Sequence, residues 1–128
     1  FISAQNATEE QTKMMLKIFN ELGLTMLLEE RLIGPGTALG SSGIAFAFRY
    51  IRAAIEGGIE LGFYPEQAKE IVLQTFKGAV ELLITKGTHH EEEIDKVTTP
   101  GGITIKGLNA MEHGGFTSAV VKGLLASK

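Results

Sequence analysis

The residues best placed by type and spacing to do chemistry form the run Thr99-Pro100-Gly101-Gly102-Ile103-Thr104. Thr followed by Pro is a helix-start pair, because the hydroxyl caps a free N–H and Pro lacks only a donor that has no partner at the first helical position. The pair predicts an N-cap at Thr99 with Pro100 opening the helix. Two glycines in the first turn remove side chains, so an anion can reach the backbone donors and meet the positive end of the helix dipole. A small carboxylate suits such a place. Thr104, one turn on, brings a hydroxyl toward a polar atom of the same ligand. On residue types alone, a plain helix cap with no ligand accounts for the run at least as economically.

Other polar groups have structural readings. His89-His90 with Glu91, Glu92 and Glu93 has metal-ligand residue types, but adjacent histidines at a helix start are expected to diverge, and the glutamates sit where the helix dipole favours carboxylates. No metal is expected. His113 beside Glu112 falls at a helix C-terminus, where a cation is favoured. Ser41, Ser42 and Ser118 have no triad spacing, and no Gly-x-Ser-x-Gly occurs. Met14, Met15 and Met26 read as core fillers.

The elements that must hold the glycine-rich run are mostly helical. Thr8 to Gln11 forms a capping box, and Met14, Met15, Ile18, Phe19 and Leu22 follow as one stripe that Gly23 ends. Leu24 to Leu28 reads as a strand, so with Phe1 to Ala4 the opening suggests a parallel strand-helix-strand unit, too small to be stable alone. Gly34-Pro35-Gly36 and Gly40-Ser41-Ser42-Gly43 read as breaks, and a boundary is expected near Gly34. A long helix over about Ser42 to Leu61 carries two apolar stripes, Ile44, Phe48, Ile51, Ile55 and Ile59, and Phe46, Tyr50, Ala53, Gly57 and Leu61. Arg49, Arg52, Glu56 and Glu60 fill its narrow polar face. A helix apolar on most sides must be surrounded, which implies a partner subunit, and Gly57-Gly58 implies close approach of another helix. Pro65 opens the next helix, whose core face is Ala68, Ile71, Val72, Phe76, Ala79, Val80 and Leu83, and Gly87 closes it. Thr88 and Glu91 form a second capping box before a short helix. Phe116, Ala119, Val120 and Leu124 mark a last amphipathic helix after Gly114-Gly115.

The 128 residues are 44% hydrophobic, enough for one sizeable core, so disorder is excluded. A formal net charge of -3 gives no broad attraction to nucleic acid or anionic lipid. With no cysteine there is neither disulfide framework nor thiolate metal site, in keeping with a cytoplasmic location. No apolar run reaches the roughly 18 residues that span a bilayer. The opening Phe1-Ile2-Ser3-Ala4, without an initiator Met, reads as the interior of a longer chain.

The spaced motif Pro100-Gly101-Gly102-x-Thr104-x-x-Gly107-Leu108-x-x-Met111-Glu112-x-Gly114-Gly115-Phe116 resembles the signature of pyrroline-5-carboxylate reductases. Its flanks agree: Thr37-Ala38-Leu39, Leu61-Gly62 followed by Pro65-Glu66-Gln67-Ala68, and Asp95-x-Val97-Thr98. The resemblance covers about Thr8 to Lys128. It implies a mainly α fold, the helical dimerisation domain at the C-terminal end of such an enzyme over residues 34–128. Residues 1–33 would be the β-α-β tail of a Rossmann domain. It further implies a homodimer with interleaved helices, able in this family to stack into larger rings. NADPH or NADH would be held by the preceding domain, since no Gly-x-Gly-x-x-Gly occurs here. The reaction implied is hydride transfer to the C=N carbon of 1-pyrroline-5-carboxylate, giving L-proline.

Carried over by position, backbone around Gly101, Gly102 and Ile103 binds the substrate carboxylate, and the Thr104 hydroxyl meets the ring nitrogen as the catalytic group. Val97 lines the pocket, and Thr99 stands where the family usually has Ser. One segment departs: Gly40-Ser41-Ser42-Gly43-Ile44-Ala45-Phe46 replaces a usual Ser-Gly-Ser-Gly-Pro-Ala-Tyr. That departure admits a divergent imine or keto-acid reductase as an alternative, and a non-catalytic helical oligomerisation module is a second.

Overall fold

The computed structural model describes Phe1 to Ser127, which fall into two compact units, 1–45 with 121–127, and 46–120. The fold is mainly α, as expected. In the first unit α1 spans Glu9–Asn20 and starts on the capping box read from the sequence. The Thr8 N–H donates to Gln11 Oε1 at 2.8 Å, and the Gln11 N–H donates to Thr8 Oγ1 at 3.2 Å. The helix stops at Asn20, whose side-chain oxygen accepts from the Thr25 N–H at 3.0 Å. Gly23, at φ +151°, lies beyond the cap at Glu21, so it shapes the turn after the helix rather than ending it.

The expected strand over Leu24 to Leu28 does not form among the described residues. A single parallel bridge joins Ile2 to Leu27, with the Ile2 N–H donating to Met26 and the Leu28 N–H to Ile2. Two short segments with no strand on either side have too few ladder bonds to hold a sheet. The β-α-β reading is thus reduced to one bridge around α1.

The glycine-rich breaks also need correction, because the backbone stays helical through them. A 3₁₀ turn at Glu30–Leu32 leads into α2 (Ile33–Thr37), then a wider π turn at Ala38–Ser42, then α3 (Gly43–Glu60). Pro35 is third in α2, where an N–H would have no intrahelical acceptor, so the ring is harmless. Gly36 and Gly40 lie one turn apart against the Phe1 ring. A Cβ on either would meet that ring at 3.2 Å. These two glycines serve close packing, not chain breaking.

In the second unit α3 turns sharply into α4 (Pro65–Lys86). Gly62 takes φ +102° in that turn, and the Phe63 N–H donates to the Gly58 carbonyl at 3.1 Å. Pro65 sits at the first helical position and Gly87 closes α4 in the left-handed region, both as expected. The close approach inferred for Gly57-Gly58 is real at Gly58 alone, and the neighbour is the chain's own α4: a Cβ on Gly58 would lie 3.0 Å from the Ala68 Cβ. Tyr50 packs on Phe76 and Phe116, with ring centroids 5.4 and 6.1 Å away. The remaining helices are α5 (His90–Lys96), α6 (Ile103–His113) and α7 (Phe116–Ala126). Among the described residues no helix is long and apolar enough to cross a membrane.

Apolar side chains are exposed throughout. Among the described residues the only buried side chains are those of Ala38 and Ala68, with Gly36 buried as well, whereas Phe48 is 65% exposed and Ile84 is 77% exposed. The expected core face of α4 is open at Ile71, Val80 and Leu83.

Replacing Gly58 by Ala tests the α3–α4 contact. The helix interior gains about 1 kcal/mol in propensity, but the new methyl overpacks Ala68 at a cost of about 1–3 kcal/mol. Gly58→Ala is therefore expected to lower the thermal midpoint. Gly57→Ala, with nothing within 4 Å, should leave it unchanged or raise it.

Candidate functional site

The candidate site is built on α5, the turn that comes after it, and the start of α6. α5 has seven residues, with Glu91, Glu92 and Glu93 in its first turn. Its N-cap is His89, whose Nδ1 accepts from the Glu91 N–H at 3.3 Å, so the expected Thr88–Glu91 capping box is not formed. Thr88 is used differently. Its hydroxyl donates to Glu93 Oε1 at 2.7 Å, and the Lys96 ammonium donates to the same oxygen at 2.9 Å and to Glu92 at 2.8 Å. The Lys96 ammonium, then the Thr88 hydroxyl, hold the Glu93 carboxyl below the usual carboxylate range. Glu92 and then Glu93 hold the Lys96 ammonium above its ordinary value. The histidines do not diverge as expected: the His89 and His90 rings stack with centroids 4.2 Å apart. No three His, Cys, Asp or Glu side chains gather as a metal would need among the described residues.

The exit from α5 is locally tied. Val97 is its C-cap and is 63% exposed, and the Thr98 hydroxyl donates to the Ile94 carbonyl at 2.7 Å. The glycine-rich run then departs from the sequence reading. Thr99 is not the N-cap, and Pro100 is not helical. Thr99 to Gly102 is a β-turn closed by the Gly102 N–H donating to the Thr99 carbonyl at 3.0 Å, with Gly101 at φ +70°. Pro100 supplies the fixed φ of the second position and Gly101 the positive φ of the third, the residue pair that such a turn favours. Turn formation wins over the Thr-Pro cap because Gly101 in that conformation cannot continue a helix.

α6 accordingly begins at Ile103, with Gly102 as its N-cap and no side chain to cap it. The Gly102 N–H is taken by Thr99, but among the described residues no protein acceptor pairs with the N–H groups of Ile103, Thr104 or Ile105. The free donors lie one residue later than the sequence reading placed them. Ile103 is 88% exposed, and Thr104 and Ile105 are half-buried. None of the side-chain hydrogen bonds among the described residues engages the Thr104 hydroxyl. Val97, Thr99, Gly101, Gly102, Ile103 and Thr104 therefore share one short stretch that offers amides, a helix dipole and a free hydroxyl. That arrangement suits a small anion with a polar group beside it. The sequence reading missed the Thr88–Glu93–Lys96 cluster, whose signal lay in Glu93 and Lys96 three apart on one helix face. The Glu112 carboxylate, part of the signature, accepts from the Thr117 hydroxyl at 2.7 Å across the Gly114-Gly115 turn.

An all-helical domain whose helices expose apolar side chains on several faces is a subunit-contact domain in architecture, with an anion-suited helix start at one edge. Residues 30–128 match the family described as pyrroline-5-carboxylate reductase dimerisation, and the chain belongs to that family. It is 52% identical over 124 residues to pyrroline-5-carboxylate reductase 1 of Dictyostelium discoideum, covering 97% of this chain and 22% of that protein. It is 45% identical over 126 residues to pyrroline-5-carboxylate reductase 2 of the same organism, covering 98% and 41%. A crystal structure of Plasmodium falciparum pyrroline carboxylate reductase with NADP bound superposes with a TM-score of 0.87 at 30% identity, covering 96% of this chain and 49% of that one. The chain thus spans less than half the length of these relatives.

Gly102 is the position at which the turn tolerates least change. A Cβ there would lie 2.5 Å from Thr99 Oγ1 and 3.0 Å from the Thr99 carbonyl oxygen, the acceptor of the closing bond. Gly102→Ala should open the turn and destabilise the domain by about 1–3 kcal/mol. Amide exchange at residues 97–105 should rise in that variant, and native exchange rates there would disprove the assignment.

Proposed function

We propose that this chain is the substrate-binding and dimerisation part of an NADPH- or NADH-dependent reductase that converts 1-pyrroline-5-carboxylate to L-proline. Residues 1–33 act as the tail of the cofactor domain and 34–128 as the helical domain. The observation that carries the reading is the uncapped start of α6, where unpaired amides stand beside the unengaged Thr104 hydroxyl. The substrate carboxylate is bound by the N–H groups of Ile103 and its neighbours, reinforced by the helix dipole. Gly101 and Gly102 keep side chains out of its path. The Thr104 hydroxyl hydrogen-bonds the ring nitrogen, which aligns the C=N bond and supports protonation of nitrogen as the carbon is reduced. Val97 lines the ring, and Thr99 fixes the turn through its carbonyl.

The bound nicotinamide supplies the hydride, and its binding falls to residues outside this chain, which contains no dinucleotide fingerprint. A related imine or keto-acid reductase is the second reading, favoured by Phe46 and the altered segment from Gly40. Thr104→Ala in the longest natural polypeptide containing this chain should lower kcat about 100-fold or more, the scale of a lost proton-aligning group. Unchanged turnover of 1-pyrroline-5-carboxylate would dismiss that role, and a panel of cyclic imines and keto acids separates the two substrates.

The partner of the domain is a second copy. Burying one large aliphatic or aromatic side chain stabilises by about 1.5–3 kcal/mol. Phe48, Ile71 and Ile84 are already partly covered, so burying what remains open on these three alone contributes about 3–6 kcal/mol. Light scattering at micromolar concentration should give a dimer or a multiple of one, and a strict monomer would refute the interleaved arrangement.

A further inference from the structure

The side chain of Glu93 is only 12% exposed, whereas Glu91 and Glu92 on the same helix are 65% and 57% exposed. Its Oε1 accepts from Thr88, just before α5, and from Lys96, the last residue of α5. One carboxylate oxygen thus ties the entrance of a two-turn helix to its end. The tie matters because helices shorter than about 12 residues are marginal without such support. The backbone just past Lys96 is locked to the same end: the Val97 N–H donates to the Ile94 carbonyl and the Thr98 N–H to the Asp95 carbonyl, both at 3.1 Å. The Thr98 hydroxyl adds a third bond, to Ile94. The place of the Thr99–Gly102 turn is therefore inherited from α5, while Thr104 is held by α6.

We propose that Glu93 is a positioning residue for the turn beside the substrate site, fixing the end of α5 and with it Val97, Thr99 and the Gly101–Gly102 backbone. The proposal rests on the reductase reading given above. Loss of the tie loosens Val97, Thr99 and the turn that borders the carboxylate site, while the α6 amides and the Thr104 hydroxyl stay with their helix. The consequence falls on binding of the acid rather than on reduction.

The test uses the longest natural polypeptide containing this chain, with Glu93→Gln, which keeps an acceptor for Thr88 but removes the ion pair, and Glu93→Leu, which removes both. In Glu93→Leu the KM for 1-pyrroline-5-carboxylate should rise about 3- to 10-fold, the worth of one or two hydrogen bonds. Glu93→Gln should show a smaller rise. In both, kcat and the KM for the dinucleotide should stay unchanged, and amide exchange should quicken at 97–103 but not in α3 or α4. An unchanged KM in Glu93→Leu overturns the proposal, as does a fall in kcat together with a poorer dinucleotide KM and a lower thermal midpoint. Should Glu93→Leu not fold, Thr88→Val and Glu93→Gln carry the same expectation, and an unshifted KM in both overturns it. If the wild-type protein does not reduce 1-pyrroline-5-carboxylate, the reductase reading falls, and exchange decides the tie alone. Quickening confined to 97–103 then supports it, and a uniform or absent change overturns it.

Discussion

The constraint on which the rest depends is a surplus of apolar surface. Every long helix presents large hydrophobic side chains that its own neighbours leave open, and the residues buried among those described are all small: Gly36, Ala38 and Ala68. Ala68 sits against Gly58, Gly36 against Phe1 and Leu28, and Ala38 opens the π turn. Small residues thus set the local helix contacts, and large ones face outward. A globular domain normally has the reverse arrangement, with its bulky side chains inside. The inversion fits a domain whose core is completed by another polypeptide, as in interfaces that resemble a core cut in half.

This division governs where chemistry can stand. A helix start left uncapped inside a closed core would carry the penalty of unpaired amides, about 1–3 kcal/mol for each. The start of α6, with Ile103 exposed, is not such a place. The same openness leaves the turn poorly supported by packing, so its shape rests on polar geometry: a proline ring, a positive φ at Gly101 and one backbone bond. The α5 cluster compensates by the same means, with hydrogen bonds serving where buried side chains would serve elsewhere.

The legibility of each element in the sequence obeys the same physics. The α1 capping box, the Pro65 helix start, the Gly87 stop and the two-sided α3 are set by neighbours within four residues, and each was legible. The Thr99-Pro100 pair misled because two local rules compete there. Thr-Pro favours a cap, Pro-Gly favours a turn, and only the φ of Gly101 decides. Thr88 misled similarly, since Glu91 and Glu93 are both within reach of its hydroxyl and His89 had already taken the cap. The candidate residues fall within one stretch of eight, and the unpaired donors of α6 lie one residue further along than a cap at Thr99 would place them.

The glycines show why such errors have a physical origin. Gly62, Gly87, Gly101 and Gly115 adopt positive φ and punctuate the chain, a role that any turn pattern reveals. Gly36, Gly40 and Gly58 sit in helical backbone and are small because Phe1 or Ala68 comes within about 3 Å of where a side chain would begin. The two roles place the same letter in the same kinds of sequence. Gly34-Pro35-Gly36 therefore looks like a break while Gly36 acts as a packing surface for Leu28 and for Phe1, the latter more than thirty residues away. Local sequence carries conformation well and long-range contact poorly, and in a domain built on small-residue contacts that distinction decides which glycines bend the chain and which allow helices to meet.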